Sequence, residues 1–276
     1  MVISATDWKK LLTSAASRAQ EACQSVGAGR ERGRHVGTGA AGDETLVADR
    51  ETERVIMDSL LPAGDVRVLS EEAGRAGPKG ARFLAIVDPL DGSSNFSRGI
   101  PFYCTSICVV DGPRLRDARY AVVRNLVNGD VYYSERGTGS FKNGRRLHPS
   151  AKTELPDSVA AVDMSKAKPE VIEALGPLSS KVGRQVHFGA NALEMCMVAD
   201  GEVDSFVDIR SRMRVTDVAG AYLIAKEAGA AVTSETGGEL DPALDLKARI
   251  NVVAACGADL HGKILRELRP FTGRRL

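Results

Sequence analysis

The chain has 276 residues, enough for a large core in one domain or two closely packed ones. Its 37 basic and 36 acidic side chains leave a formal net charge of +1, so charge draws it toward neither nucleic acid nor a membrane. Five scattered cysteines without a Cys-x-x-Cys pair and four isolated histidines argue against zinc and point to a reducing cytoplasm. From the N-terminus, Met1–Lys10 lacks the apolar stretch of a secretion signal, and no run of about 20 apolar residues predicts a membrane helix. Thr6 or Asp7 can cap a first helix to about Ser25, with Leu11, Ala15, Ala19 and Ala22 along one face. Residues 27–45 hold mainly glycines and charges and read as a mobile loop. A second amphipathic helix runs from about Asp49, through Val55, Ile56 and Leu60, to Pro62.

Val66–Leu69 has a short strand pattern and leads into Ser70-Glu71-Glu72. Phe83–Val87 is an apolar run that reads as a buried strand, and it leads into Asp88-Pro89-Leu90-Asp91-Gly92-Ser93-Ser94-Asn95-Phe96. Two carboxylates three residues apart thus emerge at a strand end, on a turn that Pro89 stiffens and Gly92 permits. At about 4 Å two such charges repel by about 4 kcal/mol at an effective dielectric near 20. Either a cation sits between them or one stays protonated. An all-oxygen ligand set suits Mg²⁺ or Mn²⁺ better than zinc. Gly92, Ser93 and Ser94 offer backbone amides and hydroxyls to an anion such as phosphate. The plainer alternative is a pair of turn dipeptides followed by a helix cap.

Beyond Asp91 the pattern becomes strand-rich: Ser106–Val110, Arg119–Leu126 and Asp130–Ser134, with hairpin signals at Asn128-Gly129 and Asn143-Gly144. Cys104 and Cys108 sit in an apolar run and read as core. The polar Pro149–Pro156 segment reads as a seam, dividing an N-terminal half, 1–150, from a C-terminal half, 151–276. The second half alternates strands near Arg184–Phe188, Val203–Asp208, Ala230–Thr233 and Asn251–Ala255 with helices near Ala190–Asp200, Asp217–Glu227 and Asp259–Leu268. The fold class is α+β, in layers rather than a barrel. Asp217 opens a helical apolar period and makes a third acidic site at the end of a regular element, where α/β architectures place ligands. Basic clusters at Arg30–Arg34, Arg145-Arg146 and Arg274-Arg275 read as solvated surface.

Taken in order, these motifs resemble the inositol monophosphatase/fructose-1,6-bisphosphatase superfamily, and within it the archaeal enzymes acting on both substrates. The aspartate motif matches at Asp88–Phe96, the paired glutamates at Glu71-Glu72 and the C-terminal motif at Asp217–Gly229. Val36–Gly39 with Gly42-Asp43-Glu44-Thr45, His187–Ala190 and Leu193–Cys196 add to the archaeal likeness, which spans roughly Trp8 to Cys256. The resemblance implies an α/β/α/β/α sandwich of the sugar phosphatase type and a soluble, cytoplasmic homodimer. It also implies Mg²⁺-dependent hydrolysis of a small phosphate ester, with Mn²⁺ as a possible substitute. Carried over by motif, Glu71, Asp88 and the Leu90 carbonyl hold one metal, while Asp88, Asp91 and Asp217 hold a second. Ser93 and Glu71 align the attacking water, and Asp49 assists. Phosphate and sugar contacts fall to Asp91, Gly92, Ser93, Gly189, Ala190 and Asn191. Arg210 stands where animal inositol monophosphatases carry an acid, and is expected to hold a second phosphate. Val186 departs from the basic residue of some archaeal members, leaving Arg184 as the nearest candidate. The alternatives are a 3′,5′-bisphosphate nucleotidase, for which no aromatic-rich stretch is evident, and a regulatory binding module on a phosphatase fold.

Overall fold

The computed structural model describes residues 6–27, 29–42 and 44–272. Met1–Ala5, Asp43 of the Gly42–Thr45 stretch and the Arg274-Arg275 pair lie outside the described residues. Helix α1 (Trp8–Ser25) begins where Asp7 accepts a hydrogen bond from the Lys10 N–H at 3.0 Å, and it buries Leu12, Ala15, Ala16 and Ala19. The described residues of 27–45 are not the loop expected of them. They form a 3₁₀ turn (Gly29–Gly33) and a hairpin of β1 (His35–Thr38) and β2 (Glu44–Leu46). Its tip is held by main chain, the Ala40 and Ala41 N–H groups donating to the Glu72 and Glu71 carbonyls at 2.8 and 3.0 Å. Such pairing leaves no hydrophobic pattern to read.

Helix α2 (Val47–Leu60) follows, then the strands of a large sheet: β3 (Val66–Ser70), β4 (Gly74–Ala76) and β5 (Phe83–Asp91). After the short α3 (Ser93–Arg98) come β6 (Cys104–Val110), β7 (Ala118–Asn125), β8 (Val131–Glu135), β9 (Gly139–Lys142) and β10 (Arg145–Arg146). The eight strands are ordered β10-β9-β8-β7-β6-β5-β3-β4, antiparallel except for the parallel pair β3–β5. The chain continues through β11 (Val159–Val162), α4 (Pro169–Lys181), β12 (Arg184–Val186), α5 (Asn191–Asp200) and β13 (Ser205–Met213). It ends with α6 (Val215–Ala228), β14 (Ala231–Thr233), β15 (Ile250–Ala255) and α7 (Ala258–Thr272). The second sheet has the order β12-β11-β13-β15-β14. Elements β11 and α4 were not anticipated. β11 is a bare Val-Ala-Ala-Val, and Gly176-Pro177 interrupts α4, although Val171, Leu175 and Leu178 share its buried face.

Five layers result. Helices α1 and α2 pack through Leu12, Ile56 and Leu60 on the face of the large sheet carrying Ala85, Val87 and Ile107. The opposite face, with Leu84, Ile86 and Cys108, meets α5 and α6, which also cover the Phe206, Val252 and Ala254 face of the second sheet. Helices α4 and α7 close the far side against Val207 and Val253. Strand β5 shows how one residue decides a layer, since Leu84 and Ile86 go one way and Ala85 and Val87 the other. Burying a Leu or Ile fully contributes about 1.5–3 kcal/mol, so this alternation is strongly held. The middle layer explains why α6 is apolar nearly all round: it is buried from both sides. All five cysteines are free and buried. Among the described residues, no helix is long and apolar enough to cross a membrane.

Candidate active site

Two strands and a helix bring three carboxylates together. Strands β3 and β5 run parallel with Ser70 beside Val87, so Glu71 and Asp88 leave the same edge of the sheet. Asp88 is not on a turn as the sequence suggested. Strand β5 continues to Asp91 through a register shift against β6 between Asp88 and Asp91, and such a bulge tolerates Pro89, which has no N–H to give. Helix α6 points its N-terminus at the same place, and Asp217 in its first turn accepts the Arg214 N–H at 2.9 Å. Glu71, Asp88 and Asp217 present carboxylate oxygens that all lie within 4.8 Å of one another. Burial, then the charge of Glu71, lifts Asp88 well above the usual carboxylate range. Burial and the charge of Asp217 do the same for Glu71, with Arg214 opposing. Asp217 is raised mainly by burial, offset by the Arg214 N–H. Clustered, desolvated carboxylates of this kind fit a hard divalent cation.

Arg214, which no sequence motif marks for this site, joins the cluster. Its Nη1 donates to Glu71 Oε1 at 3.0 Å and its Nη2 to the Ala41 carbonyl at 3.1 Å, tying the β1–β2 hairpin to the cluster. Glu72 turns away from the cluster and accepts from the Thr45 hydroxyl in the same hairpin. Asp49 is buried in the first turn of α2, where its Oδ2 accepts the Leu46 N–H at 2.7 Å. Burial outweighs that hydrogen bond and, with the charges of Glu72 and Glu53, pushes its pKa up to about 7. Leu90 is buried with Phe96 and Tyr103, and its N–H donates to Asp88 Oδ1 at 3.1 Å.

Asp91 lies outside the group of three. Its Oδ2 accepts the Ala192 N–H at 2.7 Å, so the start of α5 anchors it. Burial and the charge of Asp217 push it up to about 7, against the Ala192 and Asn191 N–H groups. Gly92 has φ +90, and a Cβ there would meet the Phe102 carbonyl at 3.0 Å, so no other residue fits without strain. Ser93 starts α3, half-buried beside it. Asn95 Nδ2 donates to the carbonyls of Phe102 and Phe188 at 2.8 and 2.6 Å, stitching this loop to the Gly189 turn.

That turn borders a cavity of about 600 Å³ whose lining includes Asn95, Gly189, Asn191 and Arg210. Ala190 is buried behind it, and Glu194, fully buried, accepts the Phe188 and Gly189 N–H groups at 3.1 and 2.8 Å. His187 Nδ1 lies 3.2 Å from Glu194, and its Nε2 lies 3.4 Å from Asp163. Arg210 is committed to Asp208 and Asp163. Arg184 is exposed on the edge strand β12 and does not line the cavity. The sequence carried a signal for Asp208, which ends the apolar run from Val203 as Asp88 follows Phe83–Val87, whereas Asp163 follows the short β11 and had none.

The sequence model of the inositol monophosphatase family matches residues 5–271. A fructose-1,6-bisphosphatase/inositol-1-monophosphatase of Archaeoglobus fulgidus is 36% identical over 242 residues, covering 87% of this chain and 90% of the relative. A protein of the same name from Thermococcus kodakarensis is 32% identical over 231 residues, covering 84% and 85%. A solved inositol monophosphatase–fructose 1,6-bisphosphatase superposes with a TM-score of 0.84 at 30% identity, over 95% of this chain and 100% of its own.

Proposed function

Because the chain belongs to the inositol monophosphatase family and is therefore a phosphomonoester hydrolase, we propose that it acts on fructose 1,6-bisphosphate and inositol 1-phosphate with Mg²⁺ as its cofactor. The observation that carries this reading is the convergence of Glu71, Asp88 and Asp217 from separate parts of the chain. In the proposal, Glu71, Asp88 and the Leu90 carbonyl hold one ion, and Asp88, Asp91 and Asp217 hold another. Bound there, Mg²⁺ or Mn²⁺ supplies charge neutralisation for the phosphoryl group and lowers the pKa of water. The chain itself positions the rest. Glu71 and Ser93 orient the attacking water, and Asp49, whose charge reaches Glu71, supports them. Backbone and side chain at Asp91, Gly92 and Ser93 cradle the reacting phosphate. Gly189 and Asn191 form the wall for the sugar or inositol ring, which the cavity beyond them accommodates, while the buried Ala190 supports that wall from behind. Phosphoryl transfer asks little covalent help from a protein, so positioning and electrostatics provide most of the rate.

A weaker second reading has one observation in its favour. Phe102 and Phe188, far apart in sequence, meet at the cavity with ring centroids 5.0 Å apart, which offers a stacking surface to a nucleobase. Phosphate release from fructose 1,6-bisphosphate, inositol 1-phosphate and adenosine 3′,5′-bisphosphate separates the two. We expect turnover of the first two with Mg²⁺, none in excess chelator, and little of the third. Efficient release from the nucleotide alone would replace the reading. An intact acidic cluster supports an active enzyme over a regulatory binding module. We place the enzyme in the cytoplasm as a homodimer. The buried free thiols are consistent with a reducing compartment, and sedimentation of the purified protein tests the dimer.

A further inference from the structure

Arg210 is the cation that the sequence points to for a second phosphate, yet its guanidinium is already engaged on every side. Nε and Nη2 donate to Asp208 at 2.9 and 2.6 Å, Nη2 also pairs with Asp163, and Nη1 donates to the Ser165 carbonyl at 2.7 Å. Two carboxylates face one guanidinium, and the side chain is only 8% exposed. Glu194 adds a third carboxylate to this floor, with His187 as the other base. An incoming phosphate meets no surplus of positive charge there.

The surplus lies on the rim. Lys166 and Arg212 line the same cavity, both are exposed, and neither has an ion-pair partner among the described residues. Their backbone is unusual. Lys166 has φ +56, and Ser211, between Arg210 and Arg212, has φ +54, conformations uncommon for residues with a Cβ. Fixed contacts maintain both turns. The Ser165 N–H donates to Asp163 Oδ1 at 2.7 Å and the Ser211 N–H to Asn251 Oδ1 at 2.6 Å. The Arg210–Ser165 bond then fastens the Lys166 loop to the strand that carries Arg212. Backbone strain held by its surroundings clusters at ligand sites.

We propose that Lys166 and Arg212 form the subsite for the non-reacting phosphate of a bisphosphate substrate, with Arg210 as the positioning residue that sets them side by side. The subsite rests on the phosphatase reading above. Two exposed cations facing a dianion also make charge-assisted contacts that screen with salt.

The test compares the unaltered enzyme with Lys166→Met/Arg212→Met, measuring kcat/KM for fructose 1,6-bisphosphate and for inositol 1-phosphate. The ratio of the two should fall by about 10- to 150-fold, most of it through KM for the bisphosphate. The charge-preserving pair Lys166→Arg/Arg212→Lys should keep the ratio within about threefold, since it retains both charges and loses only contact geometry. In the unaltered enzyme, KM for the bisphosphate should climb more steeply with KCl than KM for inositol 1-phosphate. An unchanged ratio in the Met variant, or parallel salt responses, would overturn the subsite while leaving the phosphatase reading intact. So would a wild type that turns over inositol 1-phosphate and not the bisphosphate. No turnover of either ester with Mg²⁺ would overturn the reading and the subsite with it.

Discussion

At the scale of single residues, the site is a collection of groups held where they would not choose to be. Asp88 is 3% exposed and feels the charges of Glu71, Asp91 and Asp217, all of which raise its pKa after burial has done so. Asp88→Asn removes one charge from that cluster. Without divalent metal, we expect the variant to melt higher than the wild type, at about 2–4 °C for each kcal/mol of repulsion relieved. With Mg²⁺ its kcat should be at least about a hundredfold lower, the scale of losing one electrostatic stabiliser. A phosphate-release assay beside a thermal melt in chelator reads both signs. His187 also has a raised pKa, but here the surroundings favour the charged form. Burial works against its charge, but the hydrogen bond to Glu194 and the charges of Glu194 and Asp163 prevail over that and over Arg210, raising its pKa. A raised folded pKa means that its stabilisation is complete below the unfolded value of about 6.5 and is lost as pH climbs through the folded value. The Tm gap between wild type and His187→Gln should therefore be larger at pH 6 than at pH 9. A gap that widens with pH would contradict the assignment.

At the scale of elements, α6 determines whether Asp217 reaches its partners. The helix lies against the large sheet and approaches it tightly at Gly220. A Cβ there would sit 2.4 Å from Ser106 Oγ and 3.3 Å from Val123 Cγ2. Gly220→Ala should cost about 1–3 kcal/mol by overpacking and, by lifting the helix, weaken turnover as well. The contact also suggests its own rescue. Ser106 Oγ is buried and has no hydrogen-bond partner among the described residues, so Ser106→Ala removes the obstruction at little cost. The double variant Ser106→Ala/Gly220→Ala should recover most of the Tm and activity, a coupling that a double-mutant cycle measures. Purely additive losses would show that the strain lies elsewhere in the α6 packing.

At the scale of the whole molecule, the acidic site joins the two halves that the sequence suggested. Glu71 and Asp88 come from the sheet before the 150/151 seam, and Asp217 comes from a helix after it. We propose that the halves, although each carries its own sheet, unfold together, because α6 and the core around it belong to both. A cation bound among these carboxylates would bridge the halves and stabilise them jointly. Mg²⁺ at a hundred times its Kd adds about 2.7 kcal/mol, so the melt should remain one transition and move upward with Mg²⁺. Two transitions, only one of them responsive to Mg²⁺, would show that the halves are independent.

The local sequence was enough for most helices and strands, because alternation and helical periodicity are properties of neighbouring residues. It was also enough to name the acidic motifs, since a carboxylate just after an apolar strand run is a local signature at Glu71 and Asp88 alike, even though β5 itself runs on to Asp91. The β1–β2 hairpin escaped because main-chain bonds to Glu71 and Glu72 hold it, and β11 and α4 escaped because a short run and a Gly-Pro pair blur their periods. What the tertiary structure alone decided is which charges are already spent. Arg210 and Arg214 look alike along the chain, yet one is locked to Asp163 and Asp208 beside the cavity while the other reaches Glu71 at the acidic cluster. Those partners lie up to 143 residues away in sequence. Coulomb interaction depends on distance in space and on the burial of the pair, and neither can be read from the order of residues in a chain.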